Sequence, residues 1–188
     1  MKITIAVLAI TALSALLARP SSENDTRMRP EQKIKTFLWF DDDAEEAVNF
    51  YVSLIPNSKV LSTSRWGDGG PVPKGTLMSA RFELGGVEFM ALNGGPVYRF
   101  NEAISLFVAC ESQGEIDDLW DRLTSSSGEK GRCGWLKDRF GLSWQIVPST
   151  LGAMLGDPDP AKARRVGAAM MGMDKLDLAA LRRAHEGN

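Results

Sequence analysis

The sequence predicts an α+β fold: two βαβββ modules whose mixed sheets form a cup around a cleft, followed by C-terminal helices. Three observations carry this. A strand–helix–strand–strand–strand order is legible between residues 32 and 93. The same order starts again at residue 103, with one strand short or missing, and a repeat of this kind is a statement about architecture. Residues 151–188 instead carry helix-start signals and apolar residues at helical spacing.

In the first module, "KTFLWF" (35–40) is an aromatic-rich strand. Asp41, Asp42 and Asp43 lead into "AEEAVNFYVSL", where Ala44, Ala47, Val48, Tyr51 and Leu54 share one helical face. Carboxylates suit the positive end of a helix, and Asp42 or Asp43 with Glu45 or Glu46 spells a capping box. "KVLSTSRW" is the next strand and "GDGGPVPKG" (67–75) a loop. "TLMSARFEL" and "VEFMAL" form a hairpin turned at Gly85-Gly86.

Residues 94–102 link to the second module, 103–150. There "AISLFVAC" (103–110) is a strand, and Ser112 with Glu115 caps a helix whose face is Ile116, Leu119, Trp120 and Leu123. "RCGWLKD" and "LSWQIVP" are strands around the turn "DRFG". In the extension, Asp159-Pro160 opens a helix bearing the stripe Val166, Met170 and Met173, which reads as packing. Asp177 opens the last helix, with Leu176 and Leu181 as a staple and His185 complementing the dipole in the final turn.

A chain of 188 residues with 44% hydrophobic and 24% charged residues is long enough for one domain with a real core. The net charge is −2, and lysine and arginine are dispersed, without the basic stripe that nucleic acid requires. Two cysteines, Cys110 and Cys133, are too few for a disulfide framework and read as separate thiols. The uncharged run to Ala18 is short for a stable membrane span, which takes ~20 apolar residues. Two readings fit it. Residues 1–18 act as a secretory signal, with Ala12-Leu13-Ser14 as a small-x-small site, and the protein is periplasmic or secreted. Alternatively Met28 is the true start and the protein is cytoplasmic. Residues 1–31 are set aside from the fold under either.

Familiar catalytic signatures do not occur. No glycine-rich turn joins a strand to a helix, no G-x-S-x-G is present, and His185 is the single histidine. Strand parity says more. In "LSWQIVP", Ser143, Gln145 and Val147 share one face while Trp144 and Ile146 share the other. By the same period, Thr36, Leu38 and Phe40 share a face, as do Phe89, Ala91 and Asn93, and Ala103, Ser105 and Phe107. These sets mix polar groups with aromatics and are expected to face the cleft. The opposite sets (Phe37, Trp39; Ile104, Leu106, Val108; Trp144, Ile146) are expected to pack under the helices. A mostly apolar cleft with a few polar groups is a small-molecule pocket.

The blocks "KTFLWFDDDAEEAVNFYVSLIPNSKV", "ALNGGPVYRFNEAISLFV", "CGWLKDRFGLSWQIVPS" and "DPDPAKARRV", in this order, resemble the PhnB-like branch of the vicinal oxygen chelate (VOC) superfamily, with its glyoxalase/bleomycin-resistance fold. That branch is often labelled 3-demethylubiquinone-9 3-methyltransferase-like. The resemblance covers residue 33 to about residue 187 and implies paired βαβββ modules and a homodimer. Metalloenzymes of the superfamily hold a divalent metal with His and Glu from both modules. Matching the blocks puts those ligand positions at Thr36, Ala91, Ala103 and Gln145. No cofactor is therefore expected; a divalent metal is the alternative, held weakly because its positions offer only Thr and Gln oxygens. The methyltransferase label implies a cofactor turn that the sequence does not contain.

Two functional readings follow. In the first, the cleft binds a small, partly aromatic molecule through Thr36, Leu38, Phe40, Phe89, Phe107 and Trp135, oriented by Asn93, Ser105 and Gln145, with Trp66 and the loop 67–75 closing over it. In the second, the chain is a lyase, isomerase or dioxygenase of the VOC type, metal-free or with unconventional ligands. Glu102 is then the catalytic candidate, with Asp138 and Arg139 as the other charged groups nearby.

Overall fold

The computed structural model describes residues 32–188; the leader lies outside the described residues. The elements run β1 (Thr36–Phe40), α1 (Ala44–Leu54), β2 (Lys59–Arg65), β3 (Leu77–Leu84), β4 (Val87–Asn93), β5 (Ser105–Cys110), α2 (Gln113–Leu123), β6 (Glu129–Lys130), β7 (Trp135–Lys137) and β8 (Ser143–Pro148). Three helices close the chain: α3 (Leu151–Leu155), α4 (Pro160–Met171) and α5 (Leu178–Glu186).

The strands form two four-stranded mixed sheets of matching order, β1-β4-β3-β2 and β5-β8-β7-β6. In each, the first strand pairs in parallel with the last, and the remaining pairs are antiparallel. The α+β class and the repeated module are as the sequence predicts. The strand that looked short or missing in the second module is β6, two residues long. The strand expected over 103–110 begins at Ser105, so Ala103 and Ile104 lie in the turn before it.

Each sheet covers one face with its own helix. Helix α1 buries Ala44, Ala47, Val48, Tyr51 and Leu54, and α2 buries Ile116, Leu119, Trp120 and Leu123, the two faces read from periodicity. These residues join Phe82, Leu136, Leu142, Trp144 and Ile146 in one core spanning both modules. Tyr51 of α1 meets Trp144 of β8 edge-on at 5.2 Å. The helix-bearing faces therefore share an interior. Their opposite faces are open: Phe37 is 51% and Phe107 60% exposed.

The helix starts agree in part with expectation. Ser112 Oγ accepts from Glu115 N, Asp159 from Ala161 N and Asp177 from Ala180 N. The capping box predicted at α1 does not form. Asp43 is the N-cap residue but its side chain makes no capping bond; Asn93 Oδ1 accepts from Ala44 N at 2.8 Å instead. Glu45 and Glu46 turn outward to Arg65 and Arg139. A neighbouring strand satisfied the orphan N–H before local sequence could.

The extension makes a second core of Val147, Leu151, Met154, Val166, Leu176, Leu178 and Leu181, with Met170 and Met173 packed against it. The methionine stripe is packing, as its spacing suggests. Cys133 N donates to Met173 O and Gly134 N to Asp174 O, both at 2.8 Å, so the segment before β7 carries the extension. Both cysteines are free, and burial pushes the Cys110 thiol up to about 12. Among the described residues no helix is long and apolar enough to cross a membrane.

Candidate functional site

Trp144 and Ile146 point into the core, so Ser143, Gln145 and Val147 point to the opposite face of the second sheet, where Gln145 is partly exposed and its two neighbours are buried. Registers then assemble two rows across that face. Ser105, Ser143 and Lys137 form the first; Phe107, Gln145 and Trp135 form the second. Gln145 Nε2 donates to Ser105 Oγ at 2.8 Å, leaving its Oε1 open among the described residues. The third row ends the open region, because Val147 is already covered by the extension. The amide thus lies between two aromatic side chains, with two hydroxyls and an ammonium in the row beside it.

The Ser143 hydroxyl is buried and has no hydrogen-bond partner among the described residues. Lys137 pairs with Glu102, in the turn ahead of β5. The lysine holds the Glu102 carboxyl below the usual carboxylate range, and the carboxylate in turn holds the Lys137 ammonium above its ordinary value. Glu102, Lys130, Trp135, Lys137 and Ser143 line a hollow of about 160 Å³. On the other side of the face, Ser105 and Phe107 border a groove of about 530 Å³ walled by Leu84, Val87, Phe89 and Leu106.

Four of the nine expected site residues gather here. Ser105, Phe107, Trp135 and Gln145 share the open face, and Phe89 borders the groove beside them. The face assigned to the first sheet is reversed. Leu38, Phe40, Phe89 and Ala91 are buried on the helix side, while Phe37 and Trp39 lie on the open one. The reason is that both faces of "TFLWF" are apolar, so alternation alone carries no direction. Asn93 is engaged at both ends of its amide, capping α1 and donating to Leu77 O. Thr36 is exposed at the start of β1 and borders a hollow of about 220 Å³ with Trp39, Tyr98 and Ile104.

The linker 94–102 explains that second hollow. Trp39 Nε1 donates to Gly95 O, and its ring meets Tyr98 edge-on at 5.0 Å. A Cβ at Gly94 would lie 2.3 Å from the indole, so only glycine lets the chain cross there. The loop 67–75 closes β2 onto β3 through Trp66 N to Thr76 O, at the edge of the first sheet farthest from β1.

Asp138 is a structural carboxylate. It is 2% exposed and accepts from Tyr51 Oη at 2.7 Å, Trp144 Nε1 at 2.8 Å and the backbone N–H groups of Phe140 and Leu142. Burial pushes its carboxyl above the usual range, and these donors pull it back only in part. Arg139 pairs with Glu46 and lies over the rings of Phe50 and Phe140. His185 bonds Asp157 at 2.7 Å, within the extension.

Thr36, Ala91, Ala103 and Gln145 do not fit a metal centre within this chain. Ala91 is buried beneath α1, Ala103 is in a turn, and neither offers a donor atom. No group of three or more His, Cys, Asp or Glu could hold an ion among the described residues. Lys137 is the site residue that sequence reasoning passed over; its alternation with Leu136 was the available signal.

The matching sequence model spans residues 32–147 and is described as 3-demethylubiquinone-9 3-methyltransferase. The chain belongs to that family. This agrees with the PhnB-like resemblance read from the sequence. A Bacillus cereus structure described as a putative 3-demethylubiquinone-9 3-methyltransferase, PhnB protein, is 40% identical, with 62% of this chain covering 99% of that one at a TM-score of 0.58. Protein PA1353 from Pseudomonas aeruginosa is 23% identical, over 60% of this chain and 94% of that one, at a TM-score of 0.49. A glyoxylase/bleomycin resistance protein/dioxygenase domain from Frankia sp. EAN1pec is 17% identical, over 60% and 88%, at 0.36. No curated protein matches the chain significantly. The family match ends at Val147, so α3–α5 lie beyond the matched residues.

Proposed function

We propose that this PhnB-like protein binds a small, partly aromatic molecule on the open face of its second sheet. The observation that supports this is Gln145, an amide at the centre of an open face between Phe107 and Trp135 with one acceptor lone-pair site left unfilled. The aromatic side chains supply contact area, and Gln145 with Ser105 fixes orientation. A second copy of the chain covers the face. The open faces of both sheets present exposed apolar residues, Phe37 on one and Phe107 on the other, and buried apolar surface drives association.

The enzymatic reading is less well supported. Glu102 is held ionised by Lys137 and is a weak base at neutral pH, since a general base works best with a value near the operating pH. Methyl transfer, as printed in the family description, calls for a donor cofactor. The three strand-to-helix turns among the described residues are Asp41–Asp43, Glu111–Ser112 and Ser149–Thr150; none contains glycine, so none forms a glycine cradle.

Ligand-detected NMR with a set of aromatic fragments tests the binding. Gln145→Leu is expected to weaken the binders about fivefold, the worth of one net hydrogen bond, with unchanged circular dichroism. Equal affinity in the variant would remove Gln145 from the site.

A further inference from the structure

Ser143 Oγ is the buried side-chain polar atom left without a partner among the described residues, in a residue only 1% exposed. A hydroxyl in that state costs free energy unless something meets it. It lies in β8, directly between Ser105 of β5 and Lys137 of β7. The Glu102–Lys137 ion pair joins the turn ahead of β5 to β7 and so spans β8 at that row. Its two ends differ. The Lys137 side chain is 31% exposed and rooted in a strand, whereas Glu102 is 63% exposed and borne by the linker. The hollow they line carries two acids, Glu102 and Glu129, and two bases, Lys130 and Lys137. With Glu102 turned out to water, its formal charge is one positive.

We propose that Lys137 and Ser143 form a carboxylate-binding subsite, its lysine paired in the free protein with Glu102, and that the ligand is an aromatic acid whose carboxylate displaces the Glu102 side chain. This rests on the binding face described above and adds the class of ligand. The incoming carboxylate takes over the Lys137 ammonium and accepts from Ser143 Oγ–H, while its ring lies along Trp135. Glu102 is then a competitor that keeps a sheltered cation neutralised until ligand arrives.

Fluorine NMR with para-fluorobenzoate and the neutral para-fluorobenzamide, on the full chain at neutral pH, separates the outcomes. The acid is expected to bind about tenfold tighter than the amide, as charge-assisted bonds exceed neutral ones. Lys137→Met should erase that preference, and Ser143→Ala should weaken the acid about fivefold. Glu102→Gln, at an exposed position that tolerates change, should tighten the acid about threefold by removing the competitor. A Glu102→Gln variant that binds the acid more weakly overturns the proposal. Equal binding of acid and amide, both sensitive to Gln145→Leu, overturns the carboxylate subsite and leaves the binding face standing. Binding of neither probe overturns both.

Discussion

Two buried polar residues of the second module have opposite accounts. Asp138 accepts four hydrogen bonds, two from side chains of α1 and β8 and two from its own turn. Asp138→Ala would strand Tyr51 Oη, Trp144 Nε1 and two N–H groups in the core. We expect a loss of about 3 kcal/mol or more, because each orphaned buried donor costs about 1–3 kcal/mol. Urea unfolding measures it, and a loss below about 1 kcal/mol would contradict that role. Ser143 has no such partners among the described residues. Ser143→Ala removes an unmet hydroxyl and is expected to leave stability unchanged or raise it by about 1 kcal/mol. A clear drop in the melting temperature would show that Oγ is satisfied in the free protein. A residue that lowers stability where it could be replaced without loss is the pattern of a site.

At the scale of elements, α1 is fastened to the second sheet rather than only to its own. Tyr51 and Glu46 reach Asp138 and Arg139, and Arg122 of α2 donates to Ser53 O of α1. The C-terminal extension is held in the same piecemeal way. Gln113, at the start of α2, accepts from Leu178 N and donates to Leu176 O. Gln113→Ala should therefore destabilise the extension by about 1–2 kcal/mol. Hydrogen exchange should show faster opening in α4 and α5 than in the sheets; uniform acceleration would mean that the extension and the modules unfold as one unit. By covering Val147, the extension also bounds the open face, which leaves Gln145 as its last polar row.

For the molecule as a whole, the carboxylates predict the response to pH. Glu45 is held below the usual range by Arg65, Glu102 by Lys137, Asp117 by Lys175 and Asp157 by the Asp159 N–H and then His185. A carboxyl depressed on folding adds stability above its unfolded value, about 4, and loses it as pH falls through the folded value. Asp43 and Asp138 run the other way: raised by burial, their contributions are complete at low pH and fade as pH rises through their folded values. The depressed group is larger, so the melting temperature should fall on acidification below about pH 4. Asp138→Asn should remove its part of the opposing component and, with one acceptor oxygen in place of two, also lower stability across the pH range. A melting temperature that climbs through that acid range would reverse the assignment.

The sequence by itself determined the order of elements, the buried faces of α1 and α2, three of the four helix starts discussed above, and the open face of β8. Each of these depends on contrast between neighbours in the chain. In β8, Ser143 and Gln145 alternate with Trp144 and Ile146, and only one set can be buried cheaply. In β1, Phe37 and Trp39 alternate with Leu38 and Phe40, and either set could be core. There tertiary structure decided. Helix α1 covers Leu38 and Phe40, the linker lays Gly94 and Tyr98 against Trp39, and Asn93, legible only as an inward polar group, became the cap of a helix far along the chain from it. The Ser143 row needed three strands in register, Ser105, Ser143 and Lys137, before its unpartnered hydroxyl and borrowed carboxylate came into view. Local pattern reports periodicity; which surface a face meets is a property of the packed molecule.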